Sequence, residues 1–115
     1  MESQSWIEEF PGAVIVCDTR GIITEMNAQA NEIFKKQGGR ALVGTNVLDC
    51  HPEPARSKLA DMMKNPRLNV YTIEKKGRHR LIYQVPWYQG GAYAGFVELS
   101  LEIPAEIPHF VRASE

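Results

Sequence analysis

The stretch Asp18-Thr19-Arg20-Gly21-Ile22-Ile23-Thr24-Glu25-Met26-Asn27-Ala28-Gln29-Ala30 decides the fold. Asp18 ahead of Thr19-Arg20-Gly21 is turn chemistry: an Asp carboxylate bonds its own downstream backbone, and Gly tolerates the positive φ of a tight turn. The turn joins two short apolar runs, 13–18 and 22–26, which are expected to pair as a hairpin. Val14, Ile15 and Val16 are β-branched and sit among apolar neighbours on consecutive positions. That pattern predicts a strand covered on both faces. Asn27 ends the second strand and caps a helix expected over 28–36. Ala30, Ile33 and Phe34 form its apolar stripe, and Gly38-Gly39 closes it.

Upstream, Trp6, Ile7 and Phe10 stand at helical spacing behind Ser3 or Ser5 as a cap. They predict a leading helix within 1–11, ended by Pro11-Gly12. Downstream, Leu42, Val43, Val47 and Leu48 are interrupted by Gly44, Thr45 and Asn46, which predicts short helical turns. His51-Pro52-Glu53-Pro54 opens a further helix, since a first-turn Pro lacks an N–H that would go unpaired there anyway. Ala55, Leu59, Met62 and Met63 give that helix its apolar face, and Asn65-Pro66 stops it. The remainder reads as three strands, over 68–75, 79–87 and 93–102. In the second of them Leu81, Tyr83, Val85 and Trp87 alternate with Ile82, Gln84 and Pro86. Pro86 suggests an unneeded ladder N–H or a bulge. In the third, Val97, Leu99 and Leu101 alternate with Phe96, Glu98 and Ser100. Two strands, a helical middle and three strands make an α+β domain with one antiparallel sheet.

Composition narrows the function classes. The chain has 115 residues, the size of a single domain, 1–115, with a Pro-containing tail over 103–115. Lys plus Arg is 13 against 14 Asp plus Glu. That balance lacks the concentrated basic surface of a nucleic-acid binder. The run Lys75-Lys76-Gly77-Arg78-His79-Arg80 reads as a solvated edge that resists strand pairing. Its longest apolar run is far short of the roughly 20 residues a membrane helix takes, so no membrane partner is expected. The start lacks a basic region followed by an apolar one, so the cytoplasm is the expected location. Two cysteines, Cys17 and Cys50, make no disulfide framework, and with three scattered histidines they make no zinc site.

The order of elements and the motifs resemble the PAS domain over about 6–102. Pro11-Gly12-Ala13-Val14-Ile15-Val16 resembles the family's opening strand, and the quoted Asp18–Ala30 stretch its hairpin and helix start. Leu42-Val43-Gly44-Thr45-Asn46-Val47-Leu48, then His51-Pro52-Glu53, are similar to its Gly-containing turn and long-helix start. Gly95-Phe96-Val97 resembles its last strand. The resemblance implies a five-stranded antiparallel sheet, order 2-1-5-4-3, with helices on one face. It implies a sensory module in signal transduction or transcription regulation, not an enzyme. Such a module binds a small ligand, dimerises, or contacts a signalling partner protein. Leu101-Glu102-Ile103-Pro104 and Pro108-His109-Phe110 depart from the family's closing motif and helical connector, because proline opposes a helix.

A pocket is expected between sheet and helices, lined by Phe34, Leu48, His51, Leu59, Met63 and Tyr83. Trp6, Ile7 and Phe10 are expected to cover the other sheet face, in the same chain or in a homodimer, because a bare apolar stripe is a liability. His51 has two readings. It orders the loop and helix start, or it ligates a haem, with Asp49 holding its second ring nitrogen. Cys50 as a thiolate is a further haem ligand to consider, and a haem- or redox-sensing domain using His51 and Cys50 is the alternative function, whereas Cys17 reads as core. Flavin photochemistry is not expected, because the Asn-Cys-Arg motif of the family's photosensors is absent. An alternative from another class is a small α+β-cone enzyme of ketosteroid-isomerase type, with an Asp or Tyr in an apolar pocket.

Overall fold

The structure is a computed structural model and describes residues 5–114. Ser3, one of the two proposed caps, lies outside the described residues. The leading helix α1 spans Ser5–Glu8. Strands β1, Ala13–Cys17, and β2, Ile23–Met26, form the expected hairpin. Helix α2 spans Ala28–Ile33, α3 spans Ala55–Lys64, and three 3-10 turns lie between them. Strands β3, Asn69–Lys75, β4, Arg78–Gln89, and β5, Ala92–Ile103, complete one sheet of order β2-β1-β5-β4-β3. All its strand pairs are antiparallel. A cone enzyme's fold would place its main helices first; here two strands precede them.

β1 is apolar on both faces because it is central, paired to β2 on one side and β5 on the other. A bulge at Thr24 resets the parity of β2, with Val16 opposite Glu25 and Cys17 opposite Ile23. The bulge lets both Ile23 and Met26 reach the core, where strict alternation would send one outward. The core lies between the sheet's inner face and the helices. Ala13, Ile15, Cys17 and Phe96 meet Ala30, Val47, Leu59 and Met62 there.

Asn27 joins three segments. Its Nδ2 donates to the carbonyls of Ile7 and Gly12, and its Oδ1 accepts from the N–H groups of Val14 and Ala30. The outer edge of β2 is covered by the 44–46 segment, which exchanges backbone hydrogen bonds with Ile23.

Several boundaries move. The helix expected over 28–36 stops at Ile33 and gives way to a 3-10 turn, Lys35–Gln37. Ile33 is therefore not part of a buried stripe: it is 43% exposed, while Ala30 and Phe34, one turn apart, face the core. The helix expected to open at His51 begins at Ala55, with Pro54 at its cap. β4 and β5 run longer at both ends than expected, because each pairs along its length with a neighbour. The bulge near Pro86 falls between Trp87 and Tyr88.

A polar string beside an apolar cavity

His51 follows the 3-10 turn Val47–Cys50, which Asn46 caps through Oδ1. The residue before a proline is held extended, and His51 has φ −118 and ψ 122. From there its ring turns inward, and only 15% of the side chain is exposed. Nδ1 lies 2.9 Å from the carbonyl oxygen of Val47. A carbonyl can only accept, so Nδ1 carries a proton and Nε2 faces away from it. This corrects the expectation for Asp49, whose carboxylate is turned to solvent 3.7 Å from the Arg56 guanidinium.

Nε2 of His51 points toward Glu98, 3.9 Å from its Oε1. Glu98 belongs to a string across three strands. Asn69 opposes Gln84 on β3 and β4, and Gln84 opposes Glu98 on β4 and β5. Asn69 Nδ2 donates to Gln84 Oε1 at 2.9 Å, and Gln84 Nε2 donates to Glu98 Oε1 at 2.8 Å. Donation thus runs one way and ends on the carboxylate. Gln84 is buried, and a buried amide needs this satisfaction.

Beside the string lies a cavity of about 20 Å³, walled by Ile15, Val47, Leu59 and Phe96, with His51, Gln84 and Glu98 as its polar lining. That volume has room for about one water. His51, Leu59 and Gln84 also line a groove of about 390 Å³ between α3 and β3, together with Lys58, Asn69 and Tyr71. The groove and the cavity thus lie on either side of His51, Leu59 and Gln84.

Burial pushes the thiols of Cys17 and Cys50 up, and the charges of Asp18 and Asp49, respectively, and of Glu98 push the same way. For Cys17 the Phe96 N–H opposes this without reversing it. Both cysteines are thus protonated near neutrality and are poor nucleophiles and metal ligands. Burial and Glu98 likewise push the Tyr71 hydroxyl up.

Of the pocket residues expected from sequence, His51 and Leu59 line the cavity. Phe34, Leu48 and Met63 pack against the core without lining it. Tyr83 is a correction: it pairs with Leu99 and Val70, one residue out of phase with Gln84, so it sits on the sheet's outer face. Gln84 and Glu98 were missed. Their signal was available, since Gln84 shares the alternation of Ile82, and Glu98 that of Phe96. Trp6 is 65% exposed and stacks edge-on against Phe10. Ile7 lines a surface groove with Val14, and Glu8 pairs with Arg40.

A haem does not fit these residues. The cavity falls far below the roughly 300–1,000 Å³ of ordinary ligand pockets, and a plate set across Nε2 would meet Glu98, 3.9 Å away. Among the described residues, no group of three or more metal-ligating side chains comes together, and no helix is long and apolar enough to cross a membrane.

The model of the PAS fold family matches residues 2–83. Comparison with the curated proteins gave no match. Among solved structures, a C-terminal domain from Streptococcus mutans superposes with a TM-score of 0.69 at 18% identity, covering 87% of this chain and 81% of that one. The PAS domain of BvgS from Bordetella pertussis gives 0.67 at 15% identity, covering 89% and 84%. The Aer2 receptor from Vibrio cholerae, described as a dual PAS-haem oxygen sensor, gives 0.62 at 18% identity, covering 81% and 95%. These likenesses are of fold.

Proposed function

The chain belongs to the PAS family, and from that membership we propose that it is a sensory module taking a small ligand between its sheet and its helices. The observation that carries this reading is the groove of about 390 Å³ between α3 and β3, lined by His51, Leu59 and Gln84. A concave site of that size with a few convergent polar groups is the usual form of a ligand site. Leu59, on α3, and Gln84, on β4, stand on opposite walls, so an occupant changes the spacing of helix and sheet. The groups best placed to bind are Asn69 and Gln84 of the polar string and His51. The test is titration of the ¹⁵N-labelled protein with indole as a neutral aromatic probe. Amide resonances of Leu59 and Gln84 are expected to move together and saturably. No movement at either residue at millimolar probe overturns the reading.

A second reading concerns partners and rests on a different observation. Val16, Val97, Leu99, Leu101, Leu81 and Val85 are half-buried on the outer sheet face, on three adjacent strands. The apolar expanse fits a homodimer through that face, with Trp6 and Phe10 at its border.

A further inference from the structure

We propose that the groove between α3 and β3 takes a small organic carboxylate, an anion on a compact apolar body, with Lys58 receiving its charge. The inference rests on the ligand reading above and specifies the chemistry of that same site.

The lining has an apolar part and a polar part. Pro54, Ala55, Leu59 and Val70 supply the apolar part. In the polar part Lys58 is the fixed charge, and no carboxylate lines the groove. His51 is neutral or positive, so it adds no negative charge in either state. Burial, and after it the charge of Glu98, push the Tyr71 hydroxyl up, so near neutrality it keeps its proton and can donate. Asn69 and Gln84 each spend one amide N–H along the polar string and keep the other. Their amide oxygens can only accept, but they carry no charge. The lining therefore offers an occupant one cation and several donors, the partners a carboxylate needs.

The acids nearest Lys58 in sequence are engaged elsewhere. Glu53 accepts from the backbone N–H and the hydroxyl of Ser57. Asp61, one turn further along α3, takes the Arg67 guanidinium at 2.8 Å. Among the described residues Lys58 enters no ion pair. Glu98 is the opposing charge. It lines the cavity and not the groove, and it takes the Gln84 amide at 2.8 Å. An occupant of the groove thus meets Lys58 directly and Glu98 only across Gln84 and His51, so the nearer charge governs its choice.

Three probes of one shape test this: benzoate, benzamide and benzamidine, titrated by NMR near neutral pH and at low ionic strength, where an exposed charge is least screened. Benzoate is expected to bind about threefold more tightly than benzamide, the scale of one solvent-accessible ion pair, with benzamidine weakest. In Lys58→Gln benzoate and benzamide are expected to bind alike, and Lys58→Arg is expected to keep the advantage of benzoate. Lys58 is exposed on α3, so neither substitution disturbs the core. Benzamide as tight as benzoate, benzamidine tightest, or an advantage of benzoate that survives Lys58→Gln overturns the proposal while the ligand reading stands. Silence from all three probes at Leu59 and Gln84 overturns both.

Discussion

Asn27 uses its full hydrogen-bonding capacity, two donors and two acceptors, while only 2% exposed. Replacing it by Ala leaves two backbone carbonyls and two N–H groups without that partner in a buried place. Asn27→Ala is expected to destabilise the domain by about 2–4 kcal/mol in urea unfolding. A loss below about 0.5 kcal/mol would show that water replaces the amide without cost. Gly95 is a residue-scale constraint of another kind. Its φ is +142, and an added Cβ would stand 1.9 Å from the carbonyl oxygen of Cys17. That same oxygen accepts from Trp87 Nε1 at 3.2 Å. Gly90 also has a positive φ, but a Cβ there meets open space. Gly95→Ala is therefore expected to cost about 3 kcal/mol or more, against about 1 kcal/mol for Gly90→Ala, by thermal melting of both variants. Equal losses would mean that φ alone matters at Gly95.

At the scale of elements, the β1–β2 hairpin is closed by one carboxylate. Asp18 Oδ1 accepts from the N–H of Arg20 at 2.9 Å and of Ile22 at 3.0 Å, and Oδ2 takes the Arg20 guanidinium at 3.1 Å. Desolvation pushes its pKa up, but the Ile22 N–H and both bonds from Arg20 outweigh it and hold the carboxyl below its ordinary value. A folded value below the unfolded one means a contribution fully present above the unfolded value and lost as pH falls through the folded one. Asp18→Ala is expected to lose about 1 kcal/mol near pH 7, with the gap to the unaltered protein closing in acid below about pH 4. Urea melts at both pH values check this; a gap that widens in acid would refute the assignment. The three-strand rung of Asn69, Gln84 and Glu98 is likewise a property of elements, because only the register of β3, β4 and β5 sets these side chains side by side.

At the scale of the whole molecule, the sheet has two unlike faces. The inner one meets α2, α3 and the turns; the outer one carries the half-buried aliphatic rows. If a second copy covers the outer face, light scattering at tens of micromolar should give about twice the 13.0 kDa chain mass. Leu99→Arg, which sets a charge in the middle of that face, is expected to return the chain to a monomer with its fold intact by circular dichroism. A mass of 13.0 kDa for the unaltered protein would remove the dimer reading.

Local chemistry made much of this legible from sequence. The Asp18 turn, the Asn27 cap, the apolar run of β1 and the alternation of β4 act over a few residues, so their meaning is written in neighbouring positions. The strand order became legible through the resemblance, because β1 and β5 meet across most of the chain length. What lay beyond the sequence depended on register and on which surfaces found cover. Alternation shows that Tyr83 and Gln84 face opposite ways, but it does not say which way is inward; the pairing with Glu98 and the packing of α3 decided that. Ile33 has a helical apolar position, yet the helix ends there and the side chain stays exposed. His51 was marked by its motif, whereas its partners, the Val47 carbonyl and Glu98, follow from a turn and a strand folding together. Side-chain type and short-range backbone preference are properties of the chain; a cavity, and the direction of hydrogen bonds around it, exist only once distant segments share one space.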